Sequence, residues 1–232
     1  MSDAVSVITG SRKGIGRHLA EVAIAAGAIV VGCSRQDSDL AHERYEHVRA
    51  DVADEAAMVR LFAHVRKTYG RLDHLVNCAG IASMNHALLT PGQSFRAIYE
   101  TNVFGTFYCS REAAKLMQRR RFGRIVNFSS VAVPLKLDGE AAYASSKAAV
   151  VALTEVMARE LAPFGITVNA IGPTPIETDL IRGVPKDRLT ALLRRQAIER
   201  FGTFDDVANV VDFLLSPRSG FVTGQTIYLG GV

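Results

Sequence analysis

The chain has 232 residues, of which 27 are Lys or Arg and 23 are Asp or Glu, so its formal net charge is only +4. Hydrophobic residues make up 48% and charged residues 22%, which excludes intrinsic disorder, since disorder requires low hydrophobicity and high net charge. This small positive excess argues against a nucleic-acid-binding protein unless the charges cluster. The three cysteines form no Cys-x-x-Cys pair, which argues against a disulfide framework or a zinc site.

The sequence shows no signal for export or for membrane insertion. No apolar run reaches the roughly 18–20 residues that span a bilayer. Residues 1–10, MSDAVSVITG, are too short and too polar for a secretory signal peptide. The histidines show no metal-binding spacing. We therefore expect a soluble, cytoplasmic protein without a metal, a membrane partner or a nucleic-acid partner.

Short runs rich in Val and Ile alternate with segments of helical periodicity. In chain order the predicted strands are 5–9, 28–33, 45–50, 74–77, 124–129, 167–171 and 225–229, and the predicted helices are 15–26, 54–69, 94–118, 142–162 and 205–215. Nearly continuous apolar strands that alternate with helices are typical of βαβ units. The pattern predicts one α/β domain over residues 1–232, a doubly wound, Rossmann-like parallel sheet with helices on both faces.

The segment from residue 172 to residue 204 is the least regular part of the chain. It contains Pro173, Pro175 and Pro185 and is long for a connection in a compact domain. Because no Pro/Gly/Ser-rich linker marks a domain boundary, we expect a substrate lid at about 174–204. Arg194 and Arg195 in this segment are compatible either with an acidic substrate or with solvent exposure.

A glycine-rich turn, TGSRKGIG at residues 9–16, lies between the first predicted strand and the first predicted helix. Glycines there let the backbone turn tightly and approach a pyrophosphate, which is stabilised at a helix N-terminus. The glycine pattern alone is a weak signal, but the strand and helix around it supply the required context. We expect a dinucleotide to bind at this turn, which consists, after Thr9, of Gly10, Ser11, Arg12, Lys13, Gly14, Ile15 and Gly16.

The end of the second strand distinguishes NADP from NAD. NAD-dependent enzymes usually place a carboxylate there, about 20 residues after the glycines, and Asp37 has this spacing. Asp37 nevertheless falls beyond the predicted strand end, where Ser34 and Arg35 lie. A guanidinium and a short hydroxyl suit a 2′-phosphate, which a carboxylate would repel. With Arg12 and Lys13 nearby, NADP is favoured over NAD, although these two cations are also compatible with a solvated loop.

Tyr143 and Lys147 are four residues apart at the start of a predicted helix, so their side chains share one helical face. A cation near a phenol stabilises the phenolate and lowers its pKa from near 10, which suits a tyrosine for general acid catalysis. This spacing alone is common on solvated helices. Here it follows Ser130, which ends a predicted strand, and Asn102, which lies within a predicted helix.

With these motifs in this order, the sequence resembles the classical short-chain dehydrogenase/reductases over essentially its whole length. The resemblance rests on the turn at 9–16, NxAG at 77–80, Asn102, Ser130, Tyr143 with Lys147, residues 173–178, and VTGQ at 222–225. Within the family the sequence is most similar to the 3-oxoacyl-acyl-carrier-protein reductases. The resemblance implies an NADP(H)-dependent oxidoreductase that reduces a ketone to a secondary alcohol, or the reverse, and a homo-oligomer, most often a tetramer.

The resemblance also implies roles for individual residues. Tyr143 would protonate the substrate oxygen, while Lys147 lowers the tyrosine pKa and binds the nicotinamide ribose. Ser130 would orient the substrate carbonyl, and Asn102 would bind a water that relays protons to Lys147. The remaining implied cofactor contacts are Asp51 and Val52 at the adenine, Asn77, Ala79 and Gly80 after the fourth strand, and Pro173, Ile176 and Thr178 around the carboxamide.

Three departures from the family pattern concern the cofactor loop, the lid and the carrier. Cys78 replaces the second Asn of NNAG, and Pro173 is followed by Thr174 and Pro175 instead of Gly. Phe164 stands where carrier-protein reductases often have a basic residue, which weakens the acyl-carrier-protein interpretation in particular.

The substrate itself is not specified by the sequence. An apolar pocket is expected because the segments that would line it contain Leu88, Leu89, Val133, Leu135, Leu137 and Leu180. The alternative function is a non-catalytic NADP(H)-binding sensor or scaffold, because fold does not fix function. Such proteins usually lack the tyrosine or the lysine, and this chain retains both.

Overall fold

The computed structural model describes residues 3–178, 184 and 186–232. Within these residues the strands, β1 to β7, are Val5–Thr9, Ile29–Ser34, Tyr45–Arg49, His74–Asn77, Gly123–Phe128, Ile166–Gly172 and Thr226–Tyr228. The α-helices of the same described part, α1 to α8, are Gly14–Ala25, Glu55–Tyr69, Gly92–Tyr99, Gly105–Met117, Ala132–Leu135, Ala141–Leu161, Lys186–Leu193 and Phe204–Leu215.

The strands form one parallel sheet in the order β3-β2-β1-β4-β5-β6-β7. Successive strand side chains point to opposite faces, so each central strand contributes to two apolar layers. Val7, Leu75 and Ile125 pack into the layer that α2, α4 and α6 cover. Their sequence neighbours Ile8, Val76 and Val126 pack into the layer that α1 and α8 cover. The predicted doubly wound sheet with helices on both faces is therefore confirmed.

The order of the strands places the ligand crevice. From β1 the chain moves outward through β2 to β3 and then returns to β4 on the other side of β1. In such a sheet, ligands bind outside the carboxyl ends of the strands at this reversal of order. The loops after β1, β4 and β5 meet there, and they carry the glycine turn, Gly80 and Ser130.

The predicted helix at 94–118 is wrong as a single element. It consists of α3 and α4 joined by a π-helical segment, Glu100–Phe104. Single π-helical turns are rare and often lie at functional sites. Asn102, which is fully buried in this turn, forms hydrogen bonds with Ile81 and Ser146. These contacts with distant segments explain why the predicted helix is interrupted at Glu100–Phe104, which local periodicity did not indicate.

The segment predicted as a lid contains the unpredicted helix α7. The part of this segment that follows α7 is attached to the C-terminal residues. The amides of Ala197 and Ile198 donate to the carbonyls of Gly231 and Gly230 at 2.9 and 3.0 Å. Within the lid segment, the buried Gln196 side-chain amide donates to the carbonyls of Ile198 and Arg200, each at 3.1 Å. Residues 179–183 and 185, including the predicted pocket residue Leu180, lie outside the described residues. In the described part of the chain, no helix has both the length and the apolar character needed to cross a membrane.

Candidate active site

Tyr143, Lys147 and Ser130 line one cavity of about 620 Å³. The first two project from adjacent turns of α6, and the Lys147 Nζ lies 5.8 Å from the centroid of the Tyr143 ring. Ser130 follows β5, its hydroxyl accepts from the Ala132 amide at 3.2 Å, and its side chain lies close enough to the Tyr143 phenol to affect the phenol pKa. The neighbouring Ser129 is buried and donates to the Lys147 carbonyl at 3.4 Å. The chain thus brings a phenol, an ammonium and a hydroxyl together at the carboxyl edge of the sheet.

Burial dominates the acid–base properties of this cluster. Burial raises the pKa of Tyr143 to about 12, although the nearby Ser130 side chain acts to lower it. Burial also lowers the pKa of Lys147 to about 8. The Lys147 ammonium donates to the Phe128 carbonyl at 2.8 Å. The lowering of the tyrosine pKa by Lys147, which the resemblance implies, stays a prediction.

Asn102 connects the site to the loop after β4. Its Oδ1 accepts from the Ile81 amide at 2.9 Å, while its Nδ2 donates to the Ile81 carbonyl at 2.9 Å and to the Ser146 hydroxyl at 3.0 Å. Both amide hydrogens are thus donated to protein atoms. Gly80 lies beside this contact, because a Cβ there would be 3.3 Å from the Asn102 Oδ1 and 3.4 Å from the Lys147 Nζ. Asn102 holds the loop that carries Gly80 against α6.

The predicted cofactor residue Asn77 is part of a buried polar ladder. Its Nδ2 donates to Ser110 at 2.9 Å and to the Oδ1 of Asn127 at 2.8 Å, and the Asn127 Nδ2 donates to Thr154 at 2.9 Å. Only 3% of Asn77 is exposed. Its side chain therefore joins β4 to β5 and α4, and a ligand in the cavity could contact this residue only through the backbone around it.

The glycine turn packs directly against the loop after β4. Gly10 has a φ of +70°, and a Cβ there would lie 2.9 Å from the Ala79 Cα. A Cβ on Gly16 would lie 2.5 Å from the Gly10 carbonyl oxygen. Among the described residues, no side chain caps the N-terminus of α1, and its first turn has no acidic residue. The amides of this turn are thus suited to an anionic group, and Gly14 and Ile15 begin the helix at this point.

Ser34, Arg35, Arg12 and Lys13 lie at the outer end of the crevice. The strand β2 ends at Ser34, and Arg35 and Lys13 are exposed. The Arg12 Nε donates to the carbonyl of Asp37 at 3.2 Å, so the two loops are in contact. Asp37 lies three residues beyond the strand end, as expected. This corner therefore presents several cations at the end of β2.

Asp51 and Val52 follow β3, and neither of them lines the cavity. The Asp51 carboxylate accepts from the Ala53 amide at 3.0 Å, which stabilises the turn that leads into α2. Val52 is 6% exposed and packs against Gly105, where a Cβ would lie 2.8 Å from a Val52 methyl carbon.

The cavity includes only some of the predicted residues. Those that line it are Ile15, Gly80, Ser130, Tyr143, Lys147, Pro173, Ile176 and Thr178. Of the predicted apolar substrate contacts, Leu137 lines the cavity, whereas Leu88 and Leu89 are 88% and 74% exposed on the surface. Their outward position follows from a short helical turn after β4 that the sequence did not predict.

Besides Lys147, the charged side chains of four described residues line this cavity, namely Asp138, Glu140, Arg188 and Arg195. Of these the sequence had indicated only Arg195, for which contact with an acidic substrate was one of two possibilities. The Oε2 atom of Glu140 is buried and has no hydrogen-bond partner in the described part of the chain, and burial raises the pKa of this carboxyl to about 7. Arg195 donates to the Leu135 carbonyl at 2.6 Å, which ties the lid segment to α5. The position of Glu140, three residues before Tyr143, could have indicated a carboxylate in the site. The pocket, which was expected to be apolar, thus also has charged side chains in its wall.

No group of three or more His, Cys, Asp or Glu side chains suitable for a metal occurs within residues 3–178, 184 and 186–232. The three cysteines are free thiols, and burial raises the pKa of each of them.

Comparison with known proteins gives consistent matches along the chain. The family model described as enoyl-(acyl carrier protein) reductase matches residues 9–231. The 3-oxoacyl-[acyl-carrier-protein] reductase FabG of Escherichia coli (strain K12) is 33% identical over 233 residues, covering 98% of this chain and 96% of that protein. The short-chain reductase protein NovJ of Streptomyces niveus is 35% identical over 246 residues, covering 99% and 93%. The ligand-free aldohexose dehydrogenase AldT of Thermoplasma acidophilum matches with a TM-score of 0.90 and 33% identity, covering 99% and 94%.

Proposed function

Because the chain belongs to the short-chain dehydrogenase/reductase family of oxidoreductases, we propose that it is an NADP(H)-dependent enzyme that reduces a ketone to a secondary alcohol, or catalyses the reverse reaction. The observation that carries this proposal is the meeting of Tyr143, Ser130 and Lys147 in one cavity that continues to the glycine turn. A sensor or scaffold would not need a phenol, a hydroxyl and an ammonium at one point.

The residues present fit a dinucleotide. A Cβ at Gly10 or Gly16 would collide with the backbone of the adjoining loop, and a Cβ at Gly80 would stand beside Lys147, so these glycines keep the loops close and the site open. The uncapped N-terminus of α1 suits the pyrophosphate. When bound, the nicotinamide would supply or accept the hydride. Gly80, Ile176 and Thr178 would surround it, while Ala79 and Asn77 would shape the loop, Pro173 the entry to the lid, and Asp51 and Val52 the adenine end.

The protein side chains would provide orientation and a proton. The Ser130 hydroxyl would donate a hydrogen bond to the substrate carbonyl oxygen and fix its position next to the Tyr143 phenol. As the carbonyl carbon gains a hydride, the oxygen becomes negative, and the Tyr143 proton would pass to it. Lys147 would stabilise the resulting phenolate through its positive charge. Asn102 would hold Gly80 and α6 at the required separation.

The preference for NADP(H) rests on the corner formed by Ser34, Arg35, Arg12 and Lys13. A 2′-phosphate is stabilised by guanidinium groups and hydroxyl donors. The carboxylate of Asp37 lies beyond the end of β2, away from the position that suits a ribose diol.

The predicted lid and the charged cavity wall limit which substrates the enzyme would accept. We propose that residues 1–232 act as one domain whose segment 174–204 covers the substrate. The names of the relatives suggest a 3-oxoacyl thioester or a sugar, and the cavity contains both apolar and charged groups. Because Glu140 and Arg195 line the cavity, the pocket is compatible with a substrate that has polar groups in addition to its carbonyl.

A substrate panel tests the proposal. NADPH oxidation is measured at 340 nm with a 3-oxoacyl thioester, a free ketone and an aldose, each also with NADH. Turnover of at least one carbonyl with NADPH, at a higher kcat/KM than with NADH, is the expected result. Tight NADPH binding without turnover of any carbonyl would favour the sensor.

We also propose a homotetramer. The exposed Phe95 on α3 stacks on the half-buried Tyr99 at 5.1 Å, and the exposed Phe104 of the π-helical segment stacks on the half-buried Tyr108 of α4 at 6.3 Å, both between ring centroids. Val156 on α6 is also exposed. Exposed apolar patches of this kind mark protein interfaces. Light scattering should give four times the 25.1 kDa mass of one chain.

A further inference from the structure

A continuous hydrogen-bonded bridge of side chains crosses the outer three strands below the crevice. Ser11 contacts the Tyr45 hydroxyl at 3.0 Å, Tyr45 contacts the Nδ1 of His47 at 2.8 Å, and the Nε2 of His47 contacts Ser34 at 3.0 Å. We refer to Ser11, Tyr45, His47 and Ser34 as the polar bridge. It connects the glycine turn, which holds Ser11, with the end of β2, which holds Ser34.

Gly32 makes room for the polar bridge. This residue lies in β2, between the strands β1 and β3. A Cβ at Gly32 would lie 2.2 Å from the Ser11 hydroxyl and 2.4 Å from the Tyr45 hydroxyl. Any other residue at this position would therefore displace the contact between Ser11 and Tyr45, so the bridge depends on a residue in each of three strands or their loops.

The Gln36 carbonyl, next to Ser34 and His47, determines which atoms of the polar bridge donate and which accept. The Gln36 carbonyl can only accept, and it lies 2.6 Å from the Ser34 hydroxyl and 3.0 Å from the His47 Nε2. The Nε2 atom must therefore carry a proton. In a neutral imidazole Nδ1 then accepts, so the Tyr45 hydroxyl donates to it and in turn accepts from Ser11.

This arrangement leaves the Ser34 hydroxyl free to change partner. The Gln36 carbonyl receives one hydrogen bond from Ser34 and another from His47. If the Ser34 hydrogen turns toward a ligand, the carbonyl keeps the donor from His47. Without His47, the same rotation would leave the carbonyl without a protein donor among the described residues, so the loop would lose one of the contacts that fix its backbone.

The same loop is held at three consecutive carbonyls. These contacts are Arg49 Nε to the Arg35 carbonyl at 3.0 Å, His47 Nε2 to the Gln36 carbonyl at 3.0 Å, and Arg12 Nε to the Asp37 carbonyl at 3.2 Å. The loop is therefore fixed by side chains from β3 and from the glycine turn. Its fixed backbone places Arg35 and Ser34 together at the corner proposed for the 2′-phosphate.

We propose that His47 is a positioning residue that determines selectivity for the 2′-phosphate of NADP(H). It acts through Ser34 and the Gln36 carbonyl, and the polar bridge couples this corner to the glycine turn at Ser11. This inference rests on the proposed NADP(H) function. According to this inference, a histidine in β3 affects the preference for NADP(H) over NAD(H), which differ only by the 2′-phosphate.

The test uses 2′,5′-ADP and 5′-AMP, which differ by the 2′-phosphate and lack the nicotinamide. Their dissociation constants are measured by isothermal titration calorimetry for the wild type, His47→Phe, His47→Gln and Tyr45→Phe. His64→Phe is the matched control, since His64 pairs with Glu46 at 2.7 Å on the opposite face of the same strand. Circular dichroism of each variant checks that it is folded.

His47→Phe should bind 2′,5′-ADP about tenfold more weakly, which corresponds to about 1.4 kcal/mol, and should bind 5′-AMP within twofold of the wild type. His47→Gln, which keeps a donor near the Nε2 position, should recover most of the loss, and His64→Phe should change neither constant. Equal weakening of both nucleotides, or no change in either, would overturn the inference. If His47→Phe does not fold, Tyr45→Phe decides in the same way, because it removes only one hydroxyl from the bridge.

Failure of the proposed function gives a different result. A wild type that binds 5′-AMP as tightly as 2′,5′-ADP would contradict the preference for NADP(H), and the inference would fall with it. A wild type that prefers 2′,5′-ADP, together with a His47→Phe variant of unchanged preference, would contradict the role of His47 alone.

Discussion

The ammonium of Lys147 lies 5.8 Å from the centroid of the Tyr143 ring and donates to the main-chain carbonyl of Phe128 at 2.8 Å. Lys147 is 5% exposed, and burial lowers its pKa to about 8. Its positive charge is therefore present below about pH 8 and is lost as the pH rises above that value. The charge state of one buried lysine should control how well the neighbouring phenolate is stabilised.

Carbonyl reduction should accordingly lose kcat/KM as the pH rises above about 8, since kcat/KM reports ionisations of the free enzyme. In Lys147→Arg the alkaline limb should move to higher pH, because a guanidinium stays charged. Lys115→Arg, at a partly exposed lysine paired with Glu112, is the control and should leave the profile unchanged. An alkaline limb at the same pH in Lys147→Arg would contradict this assignment.

Glu140 should make stability depend on pH. Burial raises the pKa of its carboxyl from 4.5 to about 7 in the folded state, so the folded protein holds a proton that the unfolded chain has released. Stability should therefore fall as the pH rises from 4.5 through 7. After solvent screening, Glu140→Gln should gain about 1–2 kcal/mol over the wild type at pH 8 and little at pH 4.5. Urea unfolding at both pH values measures this, with the exposed Glu43→Gln as control. A gain that is equal at the two pH values would refute the explanation.

His74 should destabilise the protein in acid. It is 3% exposed, contacts Ser6 at 3.1 Å, and burial lowers its pKa from 6.5 to about 4. The unfolded chain therefore takes up this proton at a higher pH than the folded chain. Stability should be complete above pH 6.5 and should fall by up to about 3 kcal/mol as the pH drops to 4. His74→Gln should have a flatter dependence between these limits, while the exposed His86→Gln should follow the wild type. Parallel curves for His74→Gln and the wild type would show that another group is responsible.

Gly16→Ala should impair nucleotide binding. The added Cβ would lie 2.5 Å from the Gly10 carbonyl oxygen, so the turn must move away from the start of α1. We expect the affinity for NADPH to fall by at least about tenfold, or 1.4 kcal/mol. Gly92→Ala is the matched control, because a Cβ there meets no atom within 4 Å among the described residues and alanine favours a helix. Equal NADPH affinity in Gly16→Ala and Gly92→Ala, measured by fluorescence titration, would disprove the role of this contact.

Local sequence patterns were sufficient for the sheet and for most helices. The first strand and the strand at His74–Asn77 have the predicted bounds, and the other strand bounds differ by one residue at most ends, because Val and Ile runs and glycines mark them directly. The π-helical turn at Asn102 could not be predicted, since it depends on contacts with Ile81 and Ser146.

The candidate site was predictable only where a motif has a fixed spacing. Tyr143 and Lys147 share a helix, and the glycine turn is continuous in sequence. The polar bridge was missed because Ser11 and Tyr45 are far apart in the chain and meet only across Gly32. Glu140 was missed because its burial, which changes its chemistry, results from the packing of the cavity wall.

Turnover of Tyr143→Phe with NADPH and the best carbonyl from the panel tests most directly whether Tyr143 is the general acid. This variant keeps the ring and removes only the proton that the mechanism needs. We expect a loss in kcat of about 10³-fold, with the NADPH dissociation constant within threefold of the wild type and with Tyr99→Phe, which lies outside the cavity, fully active. A Tyr143→Phe variant that retains wild-type kcat would contradict the claim that this phenol is the general acid.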